Sequence, residues 1–327
     1  MSVRLAGVPI AAACATALAA CGGGATSTVA AHSSQTTTPT LSTSTAAVAT
    51  STAAPAKPRP RPPSHPTLTA AARGSSPTPF VPAVSWRGRT AVWIARSSTG
   101  VALLSFNQDL VALRLHSGTI DAGGSGWRFG SAVDAREQRL LIGAFNGGFK
   151  FSTGAGGFVS YGRVGQPLRT GLGSIVTYAN GRTDIGSWHA EVPAPGDSVV
   201  SVRQNLPLLI DHGNAASSAG CDSCWGATLG GVSDPARSAV GITADGRLVW
   251  AGGEHLTVAA LAHALLGAGV VRAVELDINP EWVAGYLYGH RGGHGPLAPQ
   301  PVVPGQPGAP GQFLAPYSRD FFTVDAR

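Results

Sequence analysis

The chain has 327 residues and carries 23 Lys and Arg against 17 Asp and Glu, a formal net charge of +6. Eight of the basic residues (Arg4, Lys57, Arg59, Arg61, Arg73, Arg87, Arg89 and Arg96) precede Asp109, the first acidic residue, so the remainder holds 15 basic against all 17 acidic side chains. A positive excess confined to the leading third excludes a nucleic-acid partner, because such a partner needs its basic residues grouped on one folded face.

Residues 1–4 form a short n-region with one positive charge, and residues 5–20 are an apolar, alanine-rich run. That run is too short for a membrane-spanning helix and has the length of a signal-peptide core. It ends in Leu18-Ala19-Ala20-Cys21-Gly22, which resembles the lipobox of bacterial lipoproteins. The resemblance implies cleavage after residue 20, lipidation of Cys21 and an extracytoplasmic protein anchored to the membrane. An ordinary secretory signal, with Cys21 incidental, is the alternative. Residues 21–84 are largely Thr, Ser, Ala and Pro. Such composition buries too little apolar surface to offset the entropy of ordering, so this segment is expected to be a disordered stalk. Its proline-rich part, 55–63, is expected to be extended and stiff.

Residues 85–327, about 240 in all, are enough for one large core. Apolar runs at 90–95, 101–106 and 110–116 alternate with short polar loops and predict an antiparallel meander. The continuous apolar run 140–145 predicts a buried strand that stops at Asn146-Gly147-Gly148. Asn180-Gly181 and Asp245-Gly246 are hairpin signals. Cys221 and Cys224 are the two cysteines left after Cys14 and Cys21. In an exported protein they are most simply a disulfide pinning a loop. A redox pair or a zinc site is the alternative, but the strand-then-helix context and two further ligands are missing. Thr257 suits the N-cap of a helix over 257–268, with Val258, Leu261, Leu265 and Leu266 on one face. A strand follows at 270–277. Many strands and few helices predict an α+β fold, one domain built on a mixed, largely antiparallel sheet.

Several polar residues sit at the ends of these elements. Asn146 enters a Gly-Gly turn, where Gly147 and Gly148 permit close approach of a ligand and can offer N–H groups to an anion. A plain turn is the alternative. Arg237 opens a strand at 237–242 and is suited to bidentate binding of phosphate or carboxylate. Glu275 and Asp277 are two apart on one strand and share a face. Two neighbouring carboxylates raise at least one pKa, which suits acid–base work or cation binding. His116 ends another strand, as a structural or a site residue. His290 and His294 share a glycine-rich loop to which no metal is assigned.

Phe145-Asn146-Gly147-Gly148-Phe149, then Arg237 to Ile242 with Asp245-Gly246-Arg247-Leu248, then the helix, then Glu275-Leu276-Asp277 follow one another in a set order and spacing. In this the chain resembles the phosphodiester glycosidase domain family, over residues 110–325, with Arg319-Asp320-Phe321-Phe322 matching its last strand. The resemblance implies a surface-anchored hydrolase that cleaves the glycosidic bond of sugar phosphodiesters in cell-envelope or exported glycans. Phosphate is a good leaving group, its second pKa being near ~6, so such a site needs cationic stabilisation more than general-acid help. Under that chemistry Asp277 is base or nucleophile and Glu275 tunes its pKa. Asn146 donates a hydrogen bond, while Arg237 and the Gly147-Gly148 backbone hold the phosphate. His116, Asn279 and Trp282 complete the substrate-binding set. The family continues its Leu-Asp with glycines and a serine, whereas this chain has Ile278-Asn279-Pro280-Glu281-Trp282. A module that binds phosphorylated glycan without turnover is therefore the alternative function, and Trp282 is either a sugar-stacking platform or a core aromatic. No cofactor is expected, although the paired carboxylates admit a divalent cation.

Overall fold

The computed structural model describes the backbone of residues 67–68 and residues 79–226, 231–232, 234–290 and 295–327. The lipobox residues 18–21, most of the stalk and His294 lie outside these. All described residues fall within one unit, Arg59–Arg327. Among them there is one α-helix and no helix long and apolar enough to cross a membrane.

The strands form three sheets. The largest has nine strands in the order Thr67–Leu68, Val81–Trp86, Arg89–Arg96, Ala102–Phe106, Leu248–Gly253, Arg237–Thr243, Val270–Glu275, Ile210–Asp211 and Asn214–Ala215. The second runs Thr183–Ser187, Gly173–Tyr178, Val199–Gln204, Phe158–Ser160, Arg163–Gln166. The third runs Leu297–Pro301, Gly285–His290, Leu141–Asn146, Phe321–Ala326, Val111–His116. Every strand ladder among the described residues is antiparallel, as in Arg237–Thr243 against both of its neighbours. The sheet-rich, one-helix pattern agrees with the sequence reading, but three antiparallel sheets replace the expected mixed sheet.

Two boundaries also move. Val81–Trp86 pairs with Arg89–Arg96 and buries Val84 completely, so folded structure begins ahead of the expected start at residue 85. The expected meander divides: Ala102–Phe106 pairs with Arg89–Arg96, but Val111–His116 pairs with Phe321–Ala326 in the third sheet. Alternation specifies which face of a strand is buried and not which partner it takes.

The Asn180-Gly181 and Asp245-Gly246 turns join paired strands as read, each glycine at positive φ. Leu248–Gly253 and Val270–Glu275 flank Arg237–Thr243, and the helix Val258–Gly267 carries the chain over that middle strand. Thr257 Oγ1 accepts the N–H of Ala260 at 3.2 Å as the N-cap. The helix buries Val258, Leu261, Ala262, Ala264 and Leu265 against the sheet. Trp250, fully buried, tilts against Phe145 at 6.1 Å between ring centres and so joins the first sheet to the third. The same junction brings the ends of Leu141–Asn146 and Val270–Glu275 together, where the Asp277 N–H donates to Gly147 O at 3.2 Å.

Candidate functional site

Asp277 lies two residues beyond the end of its strand and is 5% exposed. The Asn279 N–H donates to its Oδ1 at 3.0 Å, and Arg319 Nη2 donates to its Oδ2 at 3.1 Å. Arg319 also donates to Gly148 O at 2.9 Å and pairs with Asp121. Burial pushes the Asp277 carboxyl up from its ordinary value, the Asn279 N–H and Arg319 pull it partly back, and the charge of Asp320 adds to the rise. Asp277 lines a cleft of about 910 Å³, within the range of small-molecule sites. Ile278 and Asn279 continue that wall, Phe149 and Leu206 make it apolar, and Lys150 stands beside them.

Glu275 points into a different environment. It is fully buried, and its Oε1 accepts from Arg237 Nη1 at 2.7 Å. Burial raises its pKa to about 8 in spite of that partner. Arg237 is 1% exposed, and each of its three nitrogens has a partner within the protein. Nε donates to Leu256 O at 2.9 Å, Nη1 also to Trp225 O at 3.2 Å, and Nη2 to Asp222 O at 3.4 Å, with Asp222 Oδ1 at 3.9 Å. The phosphate-binding role expected of Arg237 is therefore corrected: it anchors a buried carboxylate and two loop carbonyls. That loop is closed by a Cys221–Cys224 disulfide, as the cysteine spacing indicated. Its Asp222 Oδ1 accepts the Val258 N–H at 2.7 Å, setting a carboxylate at the positive end of the helix.

The Gly-Gly turn is corrected in the same way. Gly147 N–H donates to Asp320 O at 3.0 Å, Gly148 N–H to Asp320 Oδ2 at 3.2 Å and Phe149 N–H to Asn205 Oδ1 at 3.0 Å. Asp320 is in turn held by Arg203 at 2.8 Å, a pair fully withdrawn from solvent. Neither glycine has positive φ. They are needed because a Cβ would stand 2.1 Å from Asp320 Oδ2 at Gly147 and 2.3 Å from Asn205 Oδ1 at Gly148. The turn packs tightly and has no N–H left to cradle an anion.

Asn146 knots the strand ends: Nδ2 donates to Ser238 Oγ at 2.9 Å, and Oδ1 accepts the Ala284 N–H at 3.3 Å. It positions the neighbourhood of Asp277 from within the protein. His116 lies in the core, stacked on Phe321 at 4.4 Å, and its Nδ1–H donates to Gly130 O at 2.9 Å. It does not line the cleft. Asn279 does, and Trp282, half-buried, packs edge-on against Tyr317 at 6.1 Å. Asp121, Arg203, Asn205 and Lys150 were missed in the sequence because each reaches its partner across a long separation, with no local pattern to mark it, and Ser238 was visible only as part of a strand match. Arg319 and Asp320 were visible only as part of a strand match.

Among the described residues, Glu191, Asp211 and His212 offer ligand atoms within 4.8 Å of one another. They stand at the far end of the Asp277 strand, where Gly213 N–H meets Val271 O. Arg272 lies 3.5 Å from the shared Glu191 oxygen and supplies positive charge there already. Asp277 and Glu275 have arginine partners and do not converge on one cation position.

No family model matches the chain, and no curated protein matches it. Solved structures similar to it include the zebrafish N-acetylglucosamine-1-phosphodiester alpha-N-acetylglucosaminidase catalytic domain, auto-inhibited by its pro-peptide. That alignment has 13% identity, covers 80% of this chain and 88% of that one, and has a TM-score of 0.43. A protein from Synechocystis described as hypothetical aligns at 15% identity over 77% of this chain and 64% of its own, with a TM-score of 0.42. At these values neither structure assigns an activity to this chain.

Proposed function

We propose that this protein is a hydrolase of the glycosidic bond in sugar phosphodiesters, with Asp277 as the carboxyl group at the bond. The observation that carries the proposal is the state of Asp277: buried, raised in pKa, gripped at both oxygens and set in the wall of a ligand-sized cleft. A carboxylate held in this way acts without reorganising, as base toward water or as nucleophile at the anomeric carbon. The bond from that carbon to the phosphate oxygen breaks, and the phosphate leaves with the electron pair. The substrate class comes from the motif resemblance of the sequence. Glu275, Arg237 and Asn146 support the Asp277 strand from behind. In this reading the reaction lies outside the cytoplasm, with Cys21 as the tether on the strength of the lipobox resemblance, and envelope or exported glycans are the substrates.

The test uses the full chain with an N-acetylglucosamine-1-phosphodiester, scoring free sugar. Asp277→Asn is expected to reduce release by at least ~100-fold, the scale of a lost acid–base group, with the melting temperature unchanged. Equal release by the variant would remove Asp277 from the reaction. Binding of the diester without turnover by the unmodified protein would leave a glycan-binding module.

A further inference from the structure

Buried hydrogen-bond donors nearly always have a partner, so a group of them without one is a signal. Arg319 Nε, Trp282 Nε1 and Tyr317 Oη are three such atoms, each shielded from solvent. They belong to side chains gathered around Trp282. Tyr317 meets its ring at 6.1 Å, Arg319 Cζ lies over it at 5.8 Å and Lys150 Nζ at 5.9 Å. Arg319 is 4% exposed, and its Nη2 is the group that holds Asp277. Asp121 and Asp277 already take the two Nη groups of Arg319, so an incoming oxyanion would meet Arg319 Nε, Lys150 and the two neutral donors, and N–H and O–H donors stabilise such charge most where water is excluded.

We propose that Arg319, Tyr317, Trp282 and Lys150 form the subsite for the substrate's phosphate, an inference that rests on the hydrolase reading above. The phosphate oxygens accept from Arg319 Nε, Trp282 Nε1, Tyr317 Oη and Lys150 Nζ, which sets the anomeric carbon near Asp277. The anion is thereby moved from Arg237 and the Gly147-Gly148 turn, whose donors are engaged elsewhere. The segment 278–282 gains a purpose as well: Trp282 supplies a donor and a cover where the resembling family carries glycines and a serine. Because the three atoms are shielded, Trp282 shifts when the oxyanion enters.

The probe is inorganic phosphate, titrated calorimetrically into the full chain and followed in parallel by tryptophan fluorescence. Saturable binding with a fluorescence change is expected. Affinity should fall at least fivefold in Tyr317→Phe and in Trp282→Phe, with the fluorescence change lost in the latter and melting temperatures retained. Tyr317→Phe keeps the ring and removes only the donor, so packing alone predicts no loss there; Trp282→Phe also shortens the ring system, and Tyr317→Phe is therefore the deciding variant. Absence of phosphate binding, or equal affinity in both donor variants, would overturn the subsite. The two readings fail separately. Asp277-dependent sugar release with phosphate affinity indifferent to Tyr317 sinks the subsite alone. Tyr317-dependent phosphate binding with no sugar release sinks the hydrolase alone.

Discussion

Asp277 keeps its place through groups from three segments: the Asn279 N–H just ahead, Arg319 from the last stretch of chain, and Gly147 O, which accepts its N–H. Spacing singled out Asp277 as a candidate, because two carboxylates two residues apart are a local pattern, and the family resemblance supplied the role expected of it. The same pattern paired it with Glu275 as one unit, whereas the structure gives each carboxylate its own arginine. His116 was also found locally, as a polar strand end, but its surroundings are set by Phe321 and Gly130, which no local pattern reveals. Burial lowers its pKa from 6.5 to about 4. A folded-state pKa below the unfolded one means that the unfolded chain takes up the proton first, so stability is lost as pH falls from 6.5 toward 4. The contribution is on the order of 3 kcal/mol at full protonation. Nearby Glu137, raised to about 7 chiefly by burial, works in the opposite sense over an overlapping range. Denaturant unfolding of His116→Gln across pH 4–7 should therefore show a shallower acid loss than the unmodified protein; an identical slope would mean that His116 is charged in the fold.

At the scale of elements, the helix and the disulfide loop act on one strand. Asp222 takes the helix N-terminus by its side chain and Arg237 by its carbonyl, and Trp225 O takes Arg237 again. Arg237 then holds Glu275 at the end of the strand that leads to Asp277. Opening the disulfide frees a short loop, for which chain entropy gives roughly 2 kcal/mol. A Cys221→Ser/Cys224→Ser variant should lose about that much by thermal or denaturant unfolding, and more if the Arg237 contacts loosen with it. No loss would show that the contacts of Asp222 and Trp225 hold the loop without the bond. The helix was legible to its cap because Thr257 and the apolar spacing are local signals. The hairpins at Gly181 and Gly246 were legible for the same reason. The split of the N-terminal meander was not, since Val111–His116 finds its partner some two hundred residues away, in Phe321–Ala326.

For the whole molecule, the site is a product of how sheets meet. Leu141–Asn146 belongs to one sheet and Val270–Glu275 to another, and the Trp250–Phe145 contact holds their ends side by side. A cleft with a buried carboxylate in its wall results from that junction and not from any one motif. Sheet-rich architecture, few helices and the position of Asp277 could be read from the chain. Sheet number, strand order and the buried pairs Arg203–Asp320 and Arg319–Asp121 could not, because long-range pairing decides them. The most direct test of the account is hydrolysis of an N-acetylglucosamine-1-phosphodiester in ¹⁸O-labelled water. The account predicts label on the anomeric hydroxyl of the released sugar and none on the phosphate. Label on the phosphate would mean that the phosphorus–oxygen bond had broken, and would contradict a carboxyl group acting at the glycosidic carbon.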